Sequence, residues 1–222
     1  MYHFSYFKEK DQQEILRFME EHPFVFLTGS FLNGVQVATQ IPVLIEVRDE
    51  ELIIRGHIMR NTDHHKALME NSNVLAVFTG PGCYVSASWY SNPQIGSTWN
   101  YMSVHVSGKV QFMLDAELIE FMRAFTLKFE GGNIDSQTIY DNLPEEFLRK
   151  MMPAIVGFEI RAEKMDNVFK LSQNRDEKSY DNILLHLEER GGESALVAKE
   201  MRKRKAELFP PGAEWDASKF DS

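Results

Sequence analysis

The chain has 222 residues, 43% hydrophobic and 26% charged, enough to bury a real core in one large domain or in one domain with an appendage. A formal charge of −9 and a pI near 5.3 exclude a protein that coats nucleic acid through its overall field, leaving only contact through a local basic patch. The single cysteine, Cys83, excludes an internal disulfide framework; with no signal-peptide pattern in MYHFSYFKEKDQQ and no long apolar run, a cytoplasmic protein without a membrane span is expected.

Residues 11–22, DQQEILRFMEEH, put Ile15, Leu16, Phe18 and Met19 on a helical stripe that Pro23 closes. The period then becomes that of strands: FVFLTG, GVQVATQIPVLIEV and ELIIRGHI read as three, with Asn33-Gly34 and Arg48-Asp49-Glu50 as turns. TDHHKALMEN, residues 62–71, is a short helix with Thr62 at its N-cap. VLAVFTG and CYVSASWY read as strands parted by Gly80-Pro81-Gly82, and TWNYMSVHVSGKVQFM as a long strand bent at Gly108. DAELIEFMRAFTLKFE is a helix with Leu118, Phe121, Met122, Phe125 and Phe129 on one face and Asp115 as cap. Residues 130–143 are a loop, PEEFLRKMM opens a helix at Pro144, and AIVGFEIRA returns to strand. From Asp176 the chain is helical: SYDNILLHLEE stops at Gly191-Gly192, SALVAKEMRKRKAELF follows, and PPGAEWDASKFDS is a tail. Six or more strands joined mostly by tight turns predict a mainly β fold with flanking helices, a small closed or split barrel. Regular strand–helix alternation, G-x-G-x-x-G and a P-loop are all missing, which disfavours a doubly wound sheet. The expected division is a barrel domain over 1–175 and a helical extension over 176–222.

Four segments carry chemistry. Between Glu51 and Phe78 a strand runs through His57 and turns at Asn61-Thr62 into a helix, aiming helix N–H groups beyond the strand. Arg60, Asn61, Thr62, His64, His65 and Lys66 surround that point, which reads either as a phosphate cradle or as a capped surface helix. Adjacent histidines on a helix point about 100° apart, so no metal site is expected from His57, His64 and His65. In the long strand, Trp99, Tyr101, Ser103 and His105 share one face and Asn100, Met102, Val104 and Val106 the other. Tyr84, Ser86, Ser88 and Tyr90 are expected to share a face of the preceding strand. Such a surface suits a stacking ligand, a homodimer interface, or both. No serine sits at a nucleophile elbow, so no catalytic residue is assigned. The third segment, VFKLSQNRDE, packs Lys170, Ser172, Gln173, Asn174 and Arg175 into a strand-to-helix connection with a capping Asn. Finally KEMRKRKAE, Lys199 to Glu207, is a dense basic run, either a DNA-contacting helix or a solvated helix end.

Taken together, RGHIMRN, YVSASWY, STWNYMSVH, AIVGFEI and FKLSQNR, in this order from about Tyr2 to Asn182, resemble the PaiB family, described as FMN-binding negative transcriptional regulators. The resemblance implies a split β-barrel of the flavin-reductase and pyridoxamine-phosphate-oxidase kind, a homodimer, and FMN at the dimer interface. It places the FMN phosphate at the 57–66 turn, with His57, Arg60, Asn61, Thr62 and His65. It lines the ring slot with Trp89, Trp99 and Tyr101, and the pyrimidine edge with Ser88, Asn100, Lys170 and Gln173. Where relatives carry a histidine, an asparagine and a tryptophan, this chain has Gln40, Thr62 and His65. The implied function is a negative transcriptional regulator or flavin-dependent sensor, with DNA met through the local basic helix. The alternatives are a flavin-dependent oxidoreductase using NAD(P)H, and a haem-binding or haem-degrading protein with His57, His64, His65 or His105 as ligands.

Overall fold

Alternating burial along the chain marks seven strands in the computed structural model, which describes residues 4–212 and 215–220. They are β1 (Phe24–Ser30), β2 (Gln36–Pro42), β3 (Leu44–Arg48), β4 (Glu51–Met59), β5 (Asn73–Val85), β6 (Thr98–Phe112) and β7 (Ile155–Lys170). The helices are α1 (Gln12–Glu21), α2 (Asp63–Glu70), α3 (Asp115–Phe129), α4 (Glu145–Met151), α5 (Glu177–Arg190) and α6 (Gly192–Leu208). The strands bond in the order β2-β1-β5-β6-β7-β4-β3, and β1–β2, β1–β5, β3–β4 and β4–β7 are antiparallel. The mainly β class with flanking helices is thus observed.

Several local expectations change. GVQVATQIPVLIEV is not one strand: Pro42 cannot donate to a ladder, and the buried Val43 donates instead to the Pro23 carbonyl at 2.9 Å. After that break β2 pairs with β1 and β3 with β4. Conversely β5 runs unbroken through Gly80-Pro81-Gly82 to Val85, and CYVSASWY leaves the strand from Ser86 onward. Ala87–Trp89 form a 3-10 turn, because the Ser86 hydroxyl accepts from the Ser88 N–H and closes a local turn. Tyr84, Ser86, Ser88 and Tyr90 therefore do not line one strand face. Helix α3 begins one residue earlier than expected: Glu117 reaches back 2.7 Å to the Leu114 N–H, so Asp115 lies inside the first turn. The cap of α5 is Asp176, whose carboxylate accepts from the Ser179 N–H, rather than an Asn. Thr62 caps α2 as expected. Of the expected tail, residues 213–214 and 221–222 lie outside the described residues.

The chain forms two compact units built from separated segments. The first contains residues 1–18, 79–104 and 166–222; the second contains 19–78 and 105–165. In the second, the apolar stripe of α3 closes a cluster of Leu44, Leu118, Phe121 and Ile155, with Met113, Met122, Phe125 and Met152 packed on it. Burial of each such side chain contributes roughly 1.5–3 kcal/mol. Gly108, in β6, lies so near β7 that a Cβ there would stand 2.0 Å from the Arg161 carbonyl oxygen. In the first unit, α5 and α6 bury Tyr180, Ile183, Leu184, Leu187, Val197, Ala198 and Met201. The Tyr180 hydroxyl donates to the Met201 carbonyl at 2.8 Å, and burial pushes its pKa up.

Candidate functional site

The turn from β4 into α2, in the second unit, brings together Arg60, Asn61, Thr62, His64 and His65. Asn61 takes a left-handed conformation (φ 66°), which turns the chain out of the strand and into the helix. Thr62 then caps α2: its hydroxyl accepts from the His65 N–H and donates to the Met59 carbonyl at 3.0 Å. His65 is buried, and its Nδ1 accepts from the Asn61 N–H at 3.1 Å, so the neutral ring carries its proton on Nε2. Burial chiefly, with the nearby Arg60 charge, lowers its pKa.

One residue earlier, the helix points His64 another way. Its Nδ1 lies 2.7 Å from the Thr39 hydroxyl, and its Nε2 is buried without a partner. The Nδ1 of His57, whose ring packs edge-on against Phe125 at 5.3 Å, is likewise buried without a partner. Both imidazoles line a cavity of about 350 Å³ together with Thr39, Thr62, Asp63 and the apolar Ile41, Pro42, Ile58, Met59 and Phe125. Burial lowers the pKa of both rings and keeps them neutral. Each presents one nitrogen able to donate or accept, as its tautomer dictates.

Arg60 belongs to a second cavity, of about 370 Å³, with Asp115, Leu118, Ile119, Met152 and Pro153. Its Nε donates to the Pro153 carbonyl at 3.1 Å and one Nη to the Ile155 carbonyl at 2.9 Å. These two bonds fix the plane of the guanidinium and leave three of its five N–H groups for an anion.

The other seven expected residues belong to the first unit. Trp99 is 58% exposed, with Tyr84 edge-on at 6.4 Å, and Tyr101 is half-buried. Trp89 is half-buried, stacked on His186 at 4.8 Å with the Arg190 guanidinium over its ring. The exposed Ser88 lies 2.8 Å from the Ser86 hydroxyl. Asn100 is fully buried, accepting from the Ser172 hydroxyl and donating to the Met201 sulfur. Gln173 bridges its own loop between the Leu171 N–H and the Phe169 carbonyl. Lys170 donates to the Thr98 hydroxyl. Asn100 and Gln173 thus have both ends of their amides used within the unit.

The basic run on α6 is heavily paired. Arg202 meets Glu188, Lys203 meets Glu200, Lys205 meets Asp181, and Arg204 bridges Glu9 and Glu200 at 2.8 and 2.9 Å. Among the described residues no group of three His, Cys, Asp or Glu could hold a metal ion, and no helix is long and apolar enough to cross a membrane.

Against known proteins, residues 1–164 match the family described as "Putative FMN-binding domain". The chain belongs to this family. It is 32% identical over 205 residues to the Protease synthase and sporulation protein PAI 2 of Bacillus subtilis, covering 92% of this chain and 98% of that one. An uncharacterized protein of Aspergillus fumigatus is 22% identical over 85% of this chain and 91% of its own. Among solved structures, the FAD and heme binding protein of Mycobacterium smegmatis superposes with a TM-score of 0.56 at 17% identity, over 74% of this chain and 73% of that one. The flavocytochrome Anf3 of Azotobacter vinelandii gives 0.55 at 17% identity, over 82% and 78%. This PaiB-type chain therefore has the split-barrel fold, and its cofactor is FMN.

The β4–α2 turn suits that cofactor on chemical grounds. An isoalloxazine edge offers both donors and acceptors, and the two unpartnered imidazole nitrogens are the complementary buried groups. The carboxylate of Asp63, in the same cavity, opposes a phosphate there, whereas the tethered Arg60 fork suits one. Thr39 was not among the residues the sequence singled out, and His64, which the sequence set with His65 around a phosphate cradle, faces the cavity beside Thr39 instead; the helical phase that separates His64 from His65 was the available signal.

Proposed function

We propose that this chain is a flavin-dependent sensor of the PaiB type that holds FMN around the β4–α2 turn. His57 and His64 bond to the uncharged polar part of the cofactor, and Arg60 holds its phosphate beside the capped start of α2. When bound, FMN supplies a centre that exchanges electrons in ones or twos. The protein's own part is to exclude water with Ile41, Pro42, Ile58 and Phe125 and to keep both imidazoles neutral and oriented. The reading rests above all on the buried, unpartnered nitrogens of His57 and His64 in one cavity.

The proposed assembly is a homodimer. Phe24 and Phe26 support it: they alternate with buried residues along β1 and remain 54% and 41% exposed. A regulatory role is proposed by likeness to the Bacillus subtilis protein, whose name ties it to protease synthesis and sporulation. Direct DNA contact through α6 has little support, because its arginines and lysines from Arg202 to Lys205 already meet carboxylates. Transmission of the flavin's state to a partner fits the charge distribution better.

Titration of apoprotein with FMN and with riboflavin tests the phosphate assignment. FMN should bind at least about tenfold tighter than riboflavin, and Arg60→Ala should remove most of that gap, a loss of about 1–3 kcal/mol. Equal affinity for the two ligands in the unaltered protein would contradict it. Steady NAD(P)H oxidation by FMN-loaded protein with an added acceptor would move the reading to an oxidoreductase.

A haem-binding reading has one observation behind it. Neutral imidazoles with a free ring nitrogen are also what a haem iron requires. A haem titration that gives a sharp Soret band, lost in His57→Ala or His64→Ala, would favour it over FMN.

A further inference from the structure

The two adjacent imidazoles of α2 are held by groups of different kinds. His65 takes its hydrogen bond from the Asn61 N–H, which can only donate, so its tautomer is fixed by the backbone. His64 meets the Thr39 hydroxyl of β2 instead, 2.7 Å from Nδ1. A hydroxyl can donate or accept, so here the contact alone does not say where the ring proton sits.

Counting protons decides it. Burial lowers the His64 pKa, so the ring is neutral and carries one proton, and the hydroxyl carries another. Among the described residues the Thr39 side chain makes no other hydrogen bond, and His64 Nε2 is buried without a partner. With the ring proton on Nδ1, the short contact would use that proton and leave two groups idle, the hydroxyl hydrogen and the bare Nε2. With the ring proton on Nε2, the hydroxyl hydrogen bonds to Nδ1 and only the Nε2–H is left over. Desolvated polar groups without partners are costly, and the second arrangement has one fewer of them.

The surroundings leave room for a ligand to meet that N–H. Thr39 and His64 both line the cavity of about 350 Å³ that they share with His57. From β1, Gly29 contributes no side chain to the space beside the ring: a Cβ there would stand 3.6 Å from Nε2. We infer that Thr39 is a positioning residue, whose hydroxyl holds the His64 proton on Nε2 and makes that nitrogen a hydrogen-bond donor toward the ligand. The inference rests on the flavin reading and narrows it. His64 addresses an acceptor of the isoalloxazine, a carbonyl oxygen or an unprotonated ring nitrogen, and not its N–H. A nitrogen that bears the proton has no lone pair for iron, so His64 in this tautomer does not suit a haem.

Nitrogen-15 magnetic resonance of histidine-labelled apoprotein at about pH 7.5 reads the tautomer directly, because protonated and bare ring nitrogens resonate far apart. The His64 signals are the pair lost in His64→Gln. They should report a protonated Nε2 and a bare Nδ1. Thr39→Val keeps the shape and β-branching of this strand residue without the hydroxyl, so it should fold as the parent does. Its two His64 signals should move toward each other as the ring samples both tautomers, and its FMN affinity should fall about threefold or more. Thr39→Ser restores the hydroxyl and should return both readouts to those of the parent. A protonated Nδ1 in the parent, His64 signals unmoved in Thr39→Val, or an FMN affinity in that folded variant equal to the parent's would overturn the assignment. The spectra need no cofactor: a parent that binds no FMN would overturn the flavin reading and the ligand class with it, while the role of Thr39 in setting the tautomer is judged by the spectra alone.

Discussion

His64 and Thr39 are joined by a 2.7 Å contact between Nδ1 and hydroxyl, and that contact leaves the far nitrogen of the ring buried with nothing to bond. Folding alone gains nothing from this arrangement, since Nε2 is desolvated without compensation. A leucine at that position would pack in the same space. The His64→Leu variant should therefore keep its stability to within about 1 kcal/mol, the loss of the Thr39 contact offsetting the relief of the idle nitrogen. Its FMN affinity should fall about tenfold or more. Urea unfolding of the apoprotein, with flavin titration of the same sample, separates the two quantities.

The same burial predicts a pH dependence. The folded-state pKa values of His57 and His64 lie below the ordinary value, so the unfolded chain binds more protons than the folded one as pH drops. Their contribution is fully present above about pH 6.5 and is lost as pH falls through and below that value. Urea midpoints of the apoprotein should drop between pH 7.5 and pH 5.5, and the double variant His57→Gln/His64→Gln should flatten that slope. A midpoint independent of pH in the unaltered protein would contradict the burial argument.

Arg204 should behave as a structural residue. It bridges Glu9 and Glu200, all three side chains being 12–17% exposed, and its guanidinium lies over Phe169. Arg204→Ala takes the cation from the shielded Glu9 and one of those at Glu200, which keeps Lys203, and should cost about 2–4 kcal/mol. Arg202→Ala breaks a far more exposed pair with Glu188 and should cost less than about 1 kcal/mol. Chemical denaturation of the two variants measures the contrast; equal costs would mean that the run is a solvated surface.

A glycine in β6 is predicted to be irreplaceable. Any side chain at Gly108 would collide with the Arg161 backbone, which cannot rotate away as a side-chain tip can. Gly108→Ala should destabilise by more than about 3 kcal/mol or prevent folding. Circular dichroism and a melting curve suffice to check it.

Much of this was legible in the sequence, for reasons that show where such reading stops. The stripe Leu118, Phe121, Phe125 and the alternation of Trp99 and Tyr101 against Asn100 and Met102 are periodic signals, and the structure places them as the period demands. Thr62 declared itself as a cap because an Ncap hydroxyl answers a local need. Long-range partners left no such trace. Nothing in ATQIP says that the chain changes strands after Pro42, or that Thr39 meets a histidine 25 residues on. Asn100 looks like a ligand group in STWNYMSVH, yet Ser172 and Met201, from distant segments, occupy it. Between His64 and His65, composition is silent and only the 100° step of the helix decides which ring opens to the cavity.

The most direct measurement is the absorbance spectrum of the protein reconstituted with FMN and freed of excess cofactor, compared with that of His57→Ala/His64→Ala. The unaltered protein should carry one flavin per chain, and the double variant, still folded by circular dichroism, should be nearly colourless. A parent that stays colourless, or a variant that retains its full flavin, would contradict the placement of the cofactor at the β4–α2 turn.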